Sequence, residues 1–234
     1  MIRFEQLEAL GLTIAAMSDR ADGDCAAAAQ GAAGARREFC ARCGLDAGGL
    51  VCARQVHGVA VVRANETDRG RGVCSGKPRF DAVDAMVTDV EGLPLAIFVA
   101  DCVPVYLFDP ERRATALVHA GREGTRRRIG PEAVHMLSRE FASRPCDVHA
   151  LIGPSAGPCC YEVSPEIAHD FAQAGLPARG RHLDLWEANA RQLVAAGVPE
   201  DQVAVAGICT ICDHRFHSYR RDGGSARNMA LLAL

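Results

Sequence analysis

Between Leu50 and Gly121 the chain carries six short apolar runs in close succession: LVCARQV, VAVVRA, AMVTD, LAIFVAD, PVYLFD and ATALVHAG. Each is rich in Val, Ile, Leu, Tyr or Phe, and Gly, Pro or Asp punctuates the series, so each reads as a strand. RQVHGV reads as strand, turn, strand, with the turn at His57 and Gly58. DPERRA is a second turn, set by Asp109 and Pro110, with two arginines on its solvent side. Helical text begins near Pro131, where Ala133, Val134, Leu137 and Phe141 make an apolar stripe. DVHALIG is again a strand.

Two further helices carry their own start signals. SPEIAHDFAQAG has Ser164 as N-cap and Pro165 at the first helical position. DLWEANARQLVAAG has Asp184 as cap and Gly197 as stop. An earlier helix is expected from about Ala33 to Cys43, ended by Gly44. DQVAVAG, FHSYRR and NMALLAL are read as closing strands. Clustered strands with helices between only some of them specify an α+β class with mixed sheets and helices outside. One catalytic domain spanning 1–234 is expected, with a weak Ala/Gly-rich loop at 21–35.

Composition narrows the partners. The formal net charge is −3, from 29 acidic and 26 basic side chains, with no broad basic field; nucleic acid is not an expected partner. The longest apolar stretch, LPLAIFVA, is far too short to span a membrane. Glu5 and Glu8 interrupt the only apolar stretch near the N-terminus, so no export signal is read and a cytoplasmic location is expected. The 11 cysteines are an odd number. In a reducing compartment they are core thiols, metal ligands or a nucleophile rather than a disulfide framework.

Three strand ends carry metal-competent side chains: His57 in RQVHG, Cys102 in FVADCVPVYLFD and His119 in ALVHAGREGT. Two imidazoles and a thiolate suit zinc, and three protein ligands leave a fourth position for water, whose pKa zinc lowers to roughly 7. The competing reading is a buried thiol and two satisfied histidines. CARC at Cys40–Cys43 and CTIC at Cys209–Cys212 have the spacing of two half zinc sites, which together supply four thiolates. The vicinal Cys159 and Cys160 read as part of a turn after GPSAGP, and REGTRRR as a solvated loop and helix start.

RQVHG, KPRFDAVDAMVTD, ADCVPVYLFD, HAGREGT, IGPSAGPCCYEV, HLDLWEANARQL, ICT and SYRRDGGSARN follow one another in the order of the YfiH-type family. That family carries the polyphenol oxidase and laccase-domain names, and the resemblance runs from about Leu50 to the C-terminus. It implies a layered α/β/β/α sandwich. It implies a cytoplasmic zinc enzyme that phosphorolyses adenosine, inosine, guanosine and methylthioadenosine and deaminates adenosine, with nucleoside and phosphate as its small-molecule partners. It also implies that His57, Cys102 and His119 hold the zinc. HAGREGT departs from the family's HAGWRGT, with Arg122 for the aromatic and Glu123 for the arginine. SDRADGDCAAAA lacks the family's Gly-Gly-Val-Ser and Asn-Leu segments, and SAR at Ser225–Arg227 replaces TGR. No His-x-His pair occurs, and multicopper oxidases rely on such pairs; copper is expected at the N/S site only in vitro.

Deamination needs a carboxylate to carry a proton to the leaving ammonia. Asp101 is the candidate by adjacency to Cys102, with Asp84 and Glu162 as rivals. Phosphorolysis needs a cation against phosphate; Arg54, Arg122 and Arg220 are candidates. Two other functions fit the same residues: a metal-free amide hydrolase with Cys102 as nucleophile and His119 as base, and a non-catalytic zinc-binding protein.

Overall fold

The computed structural model describes residues 1–26, 31–74, 77 and 79–234. The strands in chain order are β1 (Ile2–Arg3), β2 (Ile14–Met17), β3 (Val51–Cys52), β4 (Val61–Arg63), β5 (Ala85–Thr88), β6 (Leu95–Val99), β7 (Val103–Asp109), β8 (Ala114–Ala120), β9 (His149–Ile152), β10 (Ala178–Arg179), β11 (His182–Leu183), β12 (Val203–Val205) and β13 (Asn228–Ala233). The helices are α1 (Glu5–Glu8), α2 (Ala32–Arg42), α3 (Arg122–Arg126), α4 (Ile129–Phe141), α5 (Pro165–Gln173), α6 (Leu185–Ala195) and α7 (Tyr219–Asp222). One sheet has the order β1-β2-β13-β6-β3 and a second the order β12-β9-β7-β8-β5-β4, while β10 and β11 pair apart. Both large sheets are mixed. β3 runs parallel to β6, β4 to β5 and β12 to β9, and the remaining pairs are antiparallel.

Alternation along the strands explains the layering. In β7, Tyr106 and Phe108 face the five-stranded sheet, where they meet Met17, Leu95, Ile97 and Leu232. Val105 and Leu107, one residue out of phase, pack with Ile129, Val134 and Leu137 of α4 and Leu193 of α6. On the far side of the five-stranded sheet, Ile14, Ala16, Phe98 and Leu231 pack on Phe39 and Cys40 of α2. The layers are therefore helix, sheet, sheet, helix, as expected. A central strand buried on both faces must be apolar throughout, which is why PVYLFD and ATALVHAG show no polar alternation. The Tyr106 hydroxyl donates to the Ala16 carbonyl at 2.8 Å, satisfying a buried group and tying the two sheets together.

The capping signals read correctly. Ser164 accepts from the Ile167 N–H, and Asp184 accepts from the Glu187 N–H at 2.9 Å. α2 ends within a residue of the expected stop, with Gly44 in the left-handed region at φ 75°. Two expectations are corrected. RQVHGV is not a hairpin, because β3 belongs to the five-stranded sheet and β4 to the six-stranded one. FHSYRR is not a strand: its second half is α7, capped by the Ser218 hydroxyl accepting from the Arg221 N–H. Of the loop expected at 21–35, residues 27–30 lie outside the described residues. No described helix is long and apolar enough to cross a membrane.

Candidate metal centre

The chain leaves the five-stranded sheet for the six-stranded one twice in this region, once between β3 and β4 and once between β6 and β7. His57 lies on the first crossing and Asp101–Cys102 on the second. Both crossings bend through backbone that L-residues rarely adopt, with φ 60° at His57 and 82° at Asp101. Such conformations cost about 1–3 kcal/mol each and persist only where surrounding contacts hold them. The holding contacts are visible. The Gln55 side chain completes a strand-like pair with Phe98 of β6, accepting from its N–H at 2.9 Å and donating to its carbonyl at 3.0 Å. Asp84 takes the next three residues: its carboxylate accepts from Val56 N–H, from His57 N–H at 2.9 Å and from Gly58 N–H at 2.8 Å.

His119 arrives from the end of β8, paired with Pro104 of β7. Its backbone N–H donates to the Asp84 carbonyl at 2.7 Å, and its Nδ1 lies 2.8 Å from an Asp84 carboxylate oxygen. That bond fixes the ring and turns the other nitrogen toward Cys102. The ligand atoms of His57, Cys102 and His119 all lie within 4.8 Å of one another, and the two imidazole rings meet edge to face at 4.9 Å between centroids. His119 is buried and His57 exposed, so the cluster is closed behind and open toward solvent.

Burial alone would raise the Cys102 thiol. The charge of His119, then hydrogen bonds from His119 and His57, outweigh it and bring Cys102 down to about 6. For His119, burial disfavours the cation, but the Cys102 thiolate and the Asp84 hydrogen bond raise it to about 9. Near neutral pH these shifts favour a Cys102 thiolate beside a His119 imidazolium. Burial also pushes Asp84 up, and the His119 bond with the Gly58 and Val56 N–H groups more than reverses this, so the carboxyl sits below its ordinary value.

The donor set fits a single borderline-soft cation. Gly121 shows how tightly the space is reserved: a Cβ there would stand 3.0 Å from His57 Cδ2 and 3.1 Å from Cys102 Sγ. The cluster forms the floor of a cleft of about 690 Å3. Arg54, Arg79 and Arg227 line this cleft, together with Tyr219, which is 59% exposed.

Of the other expected residues, Asp84 and Arg54 reach the site, and the rest are engaged by other partners. Asp101 is buried, its oxygens accepting from the Thr210 hydroxyl at 2.7 Å and the Arg220 N–H at 2.7 Å. Adjacency to Cys102 does not carry it to the cluster, because successive side chains leave a crossing in different directions; it braces a loop instead. The Arg220 guanidinium lies over the Tyr161 ring and donates to the Glu162 carbonyl. Glu162 itself pairs with Arg181 at the surface. Arg122 sits beside Glu123 in a separate small depression with Arg126 and Asp170. Arg54 does reach the cleft, where Asp81 holds its guanidinium. Arg79 stands in the KPRFDAVD motif and Arg227 closes SAR, and nothing in the sequence singles out either for this cleft. Their shared orientation follows from tertiary packing, and no local spacing signals it.

The family model described as multi-copper polyphenol oxidoreductase laccase matches residues 21–234. The chain belongs to this family. Among curated relatives, the purine nucleoside phosphorylase YlmD of Geobacillus stearothermophilus is 37% identical over 76% of this chain and 69% of its own length. The adenosine deaminase RL5 of an unknown prokaryotic organism is 34% identical over 81% and 76% of the two chains. The crystal structure of YlmD from Geobacillus stearothermophilus superposes with a TM-score of 0.84 at 30% identity, covering 94% of this chain and 91% of that one. Bacillus licheniformis YfiH gives 0.80 at 33%, covering 87% and 80%. The YfiH-type resemblance and the α+β class thus both hold. The laccase part of the family name finds no His-x-His pair in this member.

Proposed function

We propose that this chain is a zinc-dependent purine nucleoside enzyme that phosphorolyses adenosine, inosine, guanosine or methylthioadenosine and deaminates adenosine. The observation that carries the reading is the trio His57, Cys102 and His119 on the floor of a cleft whose walls present three arginines. Zinc held by these three would supply Lewis-acid polarisation and an acidified water at the open position. The chain's own residues supply the rest. Asp84 keeps His119 in the tautomer that offers its second nitrogen to the cluster, and holds the His57 backbone in its strained turn. The guanidinium groups of Arg54, Arg79 and Arg227 give phosphate a cationic seat, and the exposed Tyr219 ring offers a flat face to a purine. Asp101 and Arg220 act at one remove, by fixing the loop around Thr210. A cytoplasmic location belongs to the same reading.

The experiment is a turnover assay on metal-replete protein with adenosine and inosine, with and without phosphate. Free base appearing only with phosphate, and ammonia from adenosine without it, support the two activities. No turnover of either nucleoside by fully loaded protein refutes the proposal and leaves the non-catalytic zinc protein.

One observation favours a second reading. The Cys102 sulfur and a ring nitrogen of His119 lie within 4.8 Å of each other while Asp84 holds the other ring nitrogen, the arrangement of thiol, base and orienting carboxylate that a metal-free cysteine amide hydrolase needs. Alkylation of Cys102 in protein as purified, matched by loss of an amidase activity that chelators leave intact, would favour it.

A further inference from the structure

The CTIC motif does meet two other thiols, but not those of CARC. Cys40 lies in α2, Cys43 caps its C-terminus, and both pack in the helix-on-sheet layer. Burial pushes the Cys40 thiol up to about 12, as befits a small core residue. The partners of Cys209 and Cys212 are instead the vicinal Cys159 and Cys160, on the turn that follows β9. All four sulfurs lie within 4.8 Å of one another, with Cys160 and Cys212 at 3.1 Å and Cys159 and Cys212 at 3.5 Å. Four thiolates around zinc at about 2.3 Å stand roughly 3.8 Å apart at tetrahedral angles, so the cluster needs only small adjustments. We propose that Cys159, Cys160, Cys209 and Cys212 form a second metal site, in which four thiolates hold one structural zinc.

Cys209 has the surroundings of a thiolate. The Cys209 sulfur accepts from the Gly157 N–H at 3.3 Å and also faces the N–H groups of Ile211 and Cys212, the turn geometry of a metal-binding C-x-x-C. Each thiol gives up its proton to solvent on binding, leaving a net charge of about −2 on the site. The N–H dipoles around Cys209 offset part of that charge. A Cβ on Gly157 would come within 2.6 Å of Trp186, so the turn carrying Cys159 is seated against α6.

The site has a definite mechanical task. Ser155 already exchanges backbone bonds with the strand-like stretch at Cys209, donating to the Ile208 carbonyl and accepting from the Thr210 N–H. The metal would fasten the two turns just beyond that bridge. Thr210 lies between the thiol pair and Asp101, which it bonds at 2.7 Å, one residue before Cys102. The second site therefore stiffens the loop behind the first without sharing a ligand with it.

Zinc analysis of the full chain, purified under reductant without added metal, tests this independently of the nucleoside reading. The expected content is about two zinc ions per chain, falling to about one in Cys212→Ser and in Cys159→Ser, and also to about one in Cys102→Ser. Cys159 and Cys212 are exposed, so their replacement leaves the core intact. Cobalt substituted into Cys102→Ser should show intense sulfur-to-metal charge transfer, and that band should be lost in Cys102→Ser/Cys212→Ser. The proposal is overturned if Cys212→Ser and Cys159→Ser keep the wild-type zinc content. It is also overturned if Cys159 and Cys212 alkylate at the same rate before and after chelation. A content of about one zinc, lost with Cys102, sinks the second site while sparing the first.

Discussion

The Asp84 carboxylate lies 2.8 Å from His119 Nδ1 and at the same time takes the His57 N–H at 2.9 Å. One buried anion thus holds the ring of His119 and the backbone of His57, 62 residues apart in sequence. Replacing it with the isosteric amide keeps the shape and removes the charge. Asp84→Asn should fold and bind zinc at the His57–Cys102–His119 site about 10- to 100-fold more weakly. Competition against a chelator of known affinity measures this. Unchanged affinity would show that the trio is held without Asp84.

Gly121 tests the reserved space. Gly121→Ala places a methyl group 3.1 Å from Cys102 Sγ and 3.0 Å from His57. Overpacking of this kind costs about 1–3 kcal/mol, here paid at the ligands. Zinc affinity at this site should fall about 5- to 150-fold, with the circular dichroism spectrum preserved. Full zinc occupancy at wild-type affinity in the variant would show that the cluster does not need this clearance.

The sequence exposed this much of the structure because the informative patterns are local. Strand runs, the Ser164 and Asp184 caps and the α2 stop follow from a few adjacent residues. What was misread is non-local. RQVHGV looks like a hairpin because a tight turn and a sheet-to-sheet crossing share a Gly-containing reversal; only the partners β6 and β5 distinguish them. Sequence adjacency places Asp101 beside Cys102, but its direction depends on Thr210 more than a hundred residues away. The CTIC spacing points to CARC as its partner pair, and only the tertiary fold brings it to Cys159 and Cys160 instead.

The titration pattern predicts how zinc binding responds to pH. Between about 6 and 9 the metal-free Cys102 is already a thiolate and His119 still carries its extra proton. Zinc binding there should expel that proton, about one per site. Below about 6 the Cys102 proton must leave as well, so affinity falls more steeply with acid, and above about 9 the release disappears. Titration calorimetry of Cys212→Ser in buffers of different ionisation enthalpy counts the protons at this site. Release of none at pH 7 would contradict the pairing.

Phosphate should depend on the cleft arginines. Arg79→Met or Arg227→Met removes a charged hydrogen-bonding group of the kind that contributes about 1.5–3 kcal/mol. The phosphate KM should rise about 10- to 150-fold, while phosphate-independent release of ammonia from adenosine stays near wild type. Arg122→Met, at the separate depression, should leave both unchanged. Equal losses in both reactions would place the arginines on the nucleoside rather than on phosphate.

The most direct measurement is an anomalous difference map at the zinc edge from crystals of protein purified without added metal. It should show a peak within bonding distance of His57, Cys102 Sγ and the His119 nitrogen that Asp84 leaves free, with a fourth position open to the cleft. A map with no density among these three residues, from protein that turns over nucleosides, would contradict the account.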